Sequence, residues 1–277
     1  MNVLLAGGVV LVVTALSVTA MLLVRRRAPE GSWFQDGDRA SGVFGVLATG
    51  FSVLLGFIVF LAFSTYDGSR SGAEDEAVIL TQQAETAQFF AEPVADEVTG
   101  ELVCYGRSVV HDEWDRLERG TLGDEINPWG AVMFETLRSY EPAGASEQSA
   151  YDRWMDQTSA REDARNSRVH GVTGIIPSPL WIVLFFVSGV IFLFMLFFAD
   201  SSEGPWTQAM LMGSVTSVIT ILLLLLVFFN QPFQDDVGGL QPESMQRALR
   251  LIDAAVATEH LSLTLPCDDN GVALADG

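Results

Sequence analysis

An all-α membrane protein with four crossings and a helical insert in water is the fold class this chain predicts, on three observations. Four uncharged apolar blocks, Val3 to Val24, Gly42 to Tyr66, Ile175 to Ala199 and Trp206 to Phe229, each reach the roughly 20 residues that a helix needs to cross a hydrocarbon core about 30 Å thick. Residues 67–174 are polar and repeat apolar side chains every three or four positions, the mark of helices with one buried face. No proline interrupts Gly42 to Ala91, so the second crossing is expected to leave the membrane as one long helix. The chain reads as a single integrated unit over residues 1–277.

The first block, residues 3–24, is too long and too poorly led by cations to be a cleaved signal peptide. Arg25, Arg26 and Arg27 stop it and predict an N-terminus outside a cell membrane. Parity then puts the 25–41 loop and the 200–204 turn on the cytoplasmic side. The insert and the tail, residues 230–277, fall on the other. Cys104 and Cys267 share a side whichever way the protein inserts, since two crossings separate them. On an oxidising side they can form a disulfide, worth about 4–5 kcal/mol on a chain-entropy model. The alternative is two unrelated buried thiols.

The second block, residues 42–66, carries the clearest pattern. Gly42, Gly45, Thr49, Ser52, Gly56, Phe60, Phe63 and Asp67 recur every three or four residues and therefore share one helix face. Small at first, aromatic later and acidic at its end, this stripe fits close helix packing. It also fits a pore lining with an apolar constriction at Phe60 and Phe63.

Within the insert, Ala77, Leu80, Ala84, Ala87 and Ala91 continue the second helix, and Pro93 ends it. Val98, Leu102, Tyr105, Val109 and Leu117 mark the next apolar face, with Gly120 as its stop. A shorter helix is expected over 127–140, opened by Pro128, and a longer one from about Ser146 with Tyr151, Trp154 and Met155. Near its end Arg161, Arg165 and Arg168 form a stripe. It reads as a solvated or snorkelling face, or as a cationic ring that gathers anions if subunits repeat around an axis.

Pro177, Pro179 and Trp181 introduce the third crossing, residues 175–199. Gly213, Ser214, Thr216, Ser217 and Thr220 give the fourth, residues 206–229, a small and hydroxylated first half suited to helix packing. In the tail, Met245, Leu249, Ile252 and Val256 predict an amphipathic helix docked on the insert. Asp268-Asp269-Asn270-Gly271 lacks the spaced ligands of a calcium loop.

A formal charge of -20 argues against nucleic acid as a partner, since phosphate binding needs clustered cations. His111, His170 and His260 lack metal-ligand spacing, and no phosphate-binding or hydrolase motif is present, so neither a metal, a cofactor nor an enzyme is expected. None of the four blocks contains a charged residue, which argues against an ion-coupled transporter.

Several short motifs carry a family resemblance: Leu55-Gly56-Phe57 leading to Tyr66-Asp67, Tyr105 with Glu113-Trp114, Arg165 with Arg168, Ile176-Pro177 with Leu180-Trp181, and Gln231-Pro232-Phe233. Together with the order of crossings they resemble the bacterial bestrophin-like domain family, and more distantly the bestrophins. The latter resemblance implies a pentameric anion channel whose second membrane helix lines the pore, with Gly56, Phe60 and Phe63 at its neck. Leu61, Ala62 and Phe63 depart from it, being apolar where bacterial bestrophins are polar, as do Gly68 and Ser69 in place of an aromatic pair. Bestrophins also keep their large helical block in the cytoplasm, opposite to the side that Arg25–Arg27 predict here. The leading expectation is a self-associating bestrophin-like protein in a lipid bilayer that passes small anions. The alternative is a non-conducting interaction protein whose helical bundle binds an unidentified partner.

Overall fold

A computed structural model describes residues 3–122, 125–174, 176–235, 237–258 and 263–274. Ile175, expected to open the third crossing, and His260 lie outside them. Nine α-helices are found among these residues, and an isolated bridge pairs Cys267 with Ala273. Where composition predicted one integrated unit, contacts group the chain into two: Met1–Thr65 with Gly174–Gln231, and Tyr66–Thr173 with Pro232–Gly277.

The first unit is built from α1 (Val3–Arg25), the start of α2 (Gly37–Ala87), α7 (Ser178–Phe197) and α8 (Pro205–Phe229). All four helices are long and apolar enough to cross a membrane. Phe51, Leu55, Ile58 and Ala62 of α2 cluster with Leu184 and Ile191 of α7 and Leu226 of α8. Val18 and Thr14 of α1 lie against Gly213 of α8, the close approach that a small residue permits in lipid. At one end the Arg25 guanidinium donates to the carbonyls of Ser201 and Glu203, and the Trp33 amide donates to Phe197 O at 3.2 Å. The 25–41 loop and the 200–204 turn therefore share a side, as parity requires.

α2 starts earlier than the apolar block because Asp36 caps it, its Oδ1 accepting from the Arg39 amide at 3.0 Å. With no proline to break it, the helix runs for 51 residues, about 75 Å at 1.5 Å per residue. It ends at Ala87 rather than Ala91, where the chain turns to bury Phe90.

The second unit contains the remainder of α2, then α3 (Val94–Ser108), a π-helical turn (Val109–Glu113), α4 (Trp114–Glu118), α5 (Pro128–Arg138), α6 (Ala145–Val169) and α9 (Glu243–Thr258). The face expected at Val98, Leu102, Tyr105, Val109 and Leu117 is buried throughout. Gly120 ends it at φ +66, with the Thr121 amide reaching back to Arg116 O at 2.8 Å. Asn127 caps α5 through the Trp129 amide at 3.0 Å. Met245, Ala248 and Ile252 of α9 join the same core, and a disulfide links Cys104 on α3 to Cys267 in the tail.

Candidate functional site

The eight stripe positions of α2, from Gly42 through Thr49, Ser52, Gly56, Phe60 and Phe63 to Asp67, are all exposed. A Cβ added at Gly42, Gly45 or Gly56 would meet nothing within 4 Å. At 100° per residue the stripe lies away from Phe51, Leu55, Ile58 and Ala62, which face α7 and α8. Phe63 touches Phe229 edge-on at 5.5 Å yet stays 46% exposed. Ser52 turns its hydroxyl back to Ala48 O at 2.8 Å. The outer surface of α2 is thus a row of small residues followed by aromatic ones, with the Ser52 hydroxyl bonded within the helix.

The arginine stripe requires a correction. Arg161, Arg165 and Arg168 are neither solvated nor a free cationic ring; all three are buried, Arg168 completely. Their spacing continues the inward face of α6 begun by Ala150 and Trp154, and two carboxylates meet them there. Arg168 donates from Nε to Glu76 Oε2 at 2.5 Å and from Nη2 to Glu76 Oε1 at 3.1 Å and Glu113 Oε2 at 2.6 Å. Arg165 donates from Nε and Nη2 to Glu113 Oε1 at 3.1 and 2.8 Å, and from Nη2 to Glu125 O at 2.8 Å. Arg161 donates to Gln83 Oε1 at 2.7 Å and stacks over the Tyr105 ring, 4.6 Å from its centroid. Glu162 stands 3.5 Å from it at the edge of the cluster. Three guanidiniums thus answer three carboxylates, of which Glu76 and Glu113 are buried with them.

Further groups lock this cluster. Tyr105 donates its hydroxyl to Glu76 Oε1 at 2.6 Å, and Asn127 Nδ2 donates to Glu113 Oε1 at 3.0 Å. Burial, then the Glu76 charge, pushes the Tyr105 phenol up, so it stays protonated as a donor. Burial pushes the Glu113 carboxyl up as well, but Arg168 and Arg165 outweigh this and hold it below its ordinary value. The π-helical turn widens the helix just where Glu113 and Trp114 turn inward.

Tyr105, Glu113, Arg165 and Arg168 stand among the motifs that carry the resemblance, but the sequence does not join them to Glu76. The available signal was position: Glu76 and Gln83 interrupt the apolar spacing of Ala77, Leu80 and Ala87 at interior registers. Polar residues inside such a face require partners, and the Arg161–Arg168 stripe supplies them.

The model of the family described as Bestrophin-like domain matches residues 10–244. A point-mutant form of a bacterial bestrophin homologue from Klebsiella pneumoniae superposes with a TM-score of 0.69 at 11% identity, covering 90% of this chain and 99% of its own. A second mutant form gives 0.67 at 11% identity, covering 89% and 98%. A crystal structure described as a membrane protein gives 0.69 at 11% identity, covering 90% and 98%. At such identities the likeness establishes the fold alone. No curated protein sequence matches this chain. The family match over most of the chain is decisive, and this protein belongs to the bestrophin-like family.

Proposed function

We propose that the protein assembles with copies of itself around α2 and passes small anions along the α2 stripe. The observation that carries this reading is the exposure of every stripe position, from Gly42 to Asp67, opposite the α2 face that packs on α7 and α8, with Phe63 also touching Phe229 of α8. Small residues there let neighbouring backbones approach, and Phe60 and Phe63 supply an apolar constriction of the kind that gates by dewetting. Membership of the bestrophin-like family supports the same arrangement. The reading assigns no part to Arg161, Arg165 and Arg168, whose side chains are buried in the second unit.

Reconstituted protein should carry a chloride flux, and Phe60→Ala with Phe63→Ala should raise it. A monomeric particle with no flux in either form would defeat the proposal.

A second reading is a non-conducting assembly with a partner-binding helical unit. It is favoured by the apolar Leu61-Ala62-Phe63 run, which provides no polar group to replace an ion's water. An oligomer silent in both forms would support it.

The orientation we infer places the second unit outside the cytoplasm. Arg25–Arg27 support this. So does the disulfide, a bond that persists in oxidising compartments.

A further inference from the structure

Within the first unit, α1, α7 and α8 line an open-sided crevice of about 450 Å³ that the stripe does not use. Val13, Phe185, Gly189, Phe192, Ile219 and Leu223 are among its walls. Between residues 181 and 195 of α7 it extends for roughly 20 Å at 1.5 Å per residue, enough for a chain from one leaflet of a 30 Å core.

The polar groups along it are mostly spent. Ser17 donates to Val13 O at 2.8 Å, Ser188 to Leu184 O at 2.7 Å and Thr220 to Thr216 O at 2.8 Å. The Trp181 indole N–H, at the start of α7, donates to no described group, and its ring stacks on Phe185 at 5.9 Å. Water filling such a space needs two to four polar partners per molecule, which these walls do not supply. An empty crevice forfeits the dispersion contacts of everything lining it. A hydrocarbon chain restores those contacts, and tryptophan at a crossing's end is placed for a lipid's polar interface.

We propose that this crevice is a binding site for one acyl chain of a bilayer phospholipid, whose ester region accepts from the Trp181 indole N–H. It is independent of conduction.

The test uses the full-length protein in phospholipid vesicles doped with a phospholipid that carries a photoactivatable diazirine on one acyl chain, with crosslinks mapped by peptide mass spectrometry. A resident chain should label Gly189, Phe192, Ile219 and Leu223 about tenfold more densely than Ile182, Phe186 and Val218, a preference of roughly 1.4 kcal/mol. The latter three are 69%, 69% and 55% exposed and report ordinary surrounding lipid. Gly189→Leu should abolish the excess, because a Cβ there meets nothing within 4 Å and the side chain fills the crevice. Trp181→Phe keeps the ring and should lower the labelling severalfold. Should either variant misfold, the wild-type map still decides.

Uniform labelling, an unlabelled crevice covered by a second copy, or preferential capture of a diazirine fatty acid over the phospholipid would each overturn the assignment.

Discussion

Arg168 is fully buried and held by two carboxylates, and its value to the fold depends on both. Removing one partner of a buried ion pair strands the others, at a cost of about 3–5 kcal/mol. Arg168→Met should therefore lower the thermal midpoint of the purified protein sharply. Arg70→Ala breaks the exposed Arg70–Glu74 pair and should cost less than about 1 kcal/mol. Equal losses from the two variants would contradict the cluster's structural role.

Glu101 gives a pH dependence of definite sign. It is buried on α3, accepts from Thr136 Oγ1 at 2.8 Å, and is raised from 4.5 to about 7, chiefly by burial. The folded state therefore binds a proton that the unfolded state releases above pH 4.5. The stabilisation, up to about 3 kcal/mol, is fully present below that value and lost as pH rises through 7. Glu113 behaves oppositely: its folded value is lowered, so its contribution is present above pH 4.5 and lost on further acidification. Melting midpoints of wild type should fall between pH 5 and 8, and Glu101→Gln should flatten that slope. An unchanged slope in the variant would assign it to another group.

At the scale of elements, α2 presents two glycines with opposite demands. Gly56 faces open space, so Gly56→Leu should leave the single subunit folded while disrupting self-association, as size-exclusion chromatography with light scattering would register. Retention of the oligomer would remove Gly56 from the interface. Gly72 lies against α6, where a Cβ would come within 2.5 Å of Arg168 N and 2.6 Å of Ala164 O. Gly72→Ala should cost about 1–3 kcal/mol by forcing two backbones apart, while leaving the Glu76 and Arg168 side chains chemically intact.

The four crossings and the unbroken run of α2 were legible from uncharged length and the absence of proline. The faces of α3 and α9 were legible from Val98, Leu102, Met245 and Ile252 at helical spacing. The inward aim of Arg161, Arg165 and Arg168 was not, because one helix's pattern marks a face without saying what opposes it. Their partners come from Glu76 and Glu113, 92 and 55 residues from Arg168 in the chain. The exposure of the α2 stripe was equally hidden, since small residues serve contacts within a subunit and between subunits alike.

For the molecule as a whole, the Cys104–Cys267 bond closes a span of 163 residues. On a chain-entropy model its loss costs about 5 kcal/mol. Cys104→Ser together with Cys267→Ser should lower the melting midpoint accordingly. In intact cells, the reduced pair should react with a membrane-impermeant thiol reagent only after an impermeant reductant is applied. Both thiols labelling freely from the cytoplasm would overturn the inferred orientation.

The same crosslink changes what a protease accomplishes. A cut between α9 and Cys267 severs the backbone but not the molecule, since the terminal fragment stays fastened to α3. On a denaturing gel the nicked protein should run as one band without reductant and release a small peptide with it.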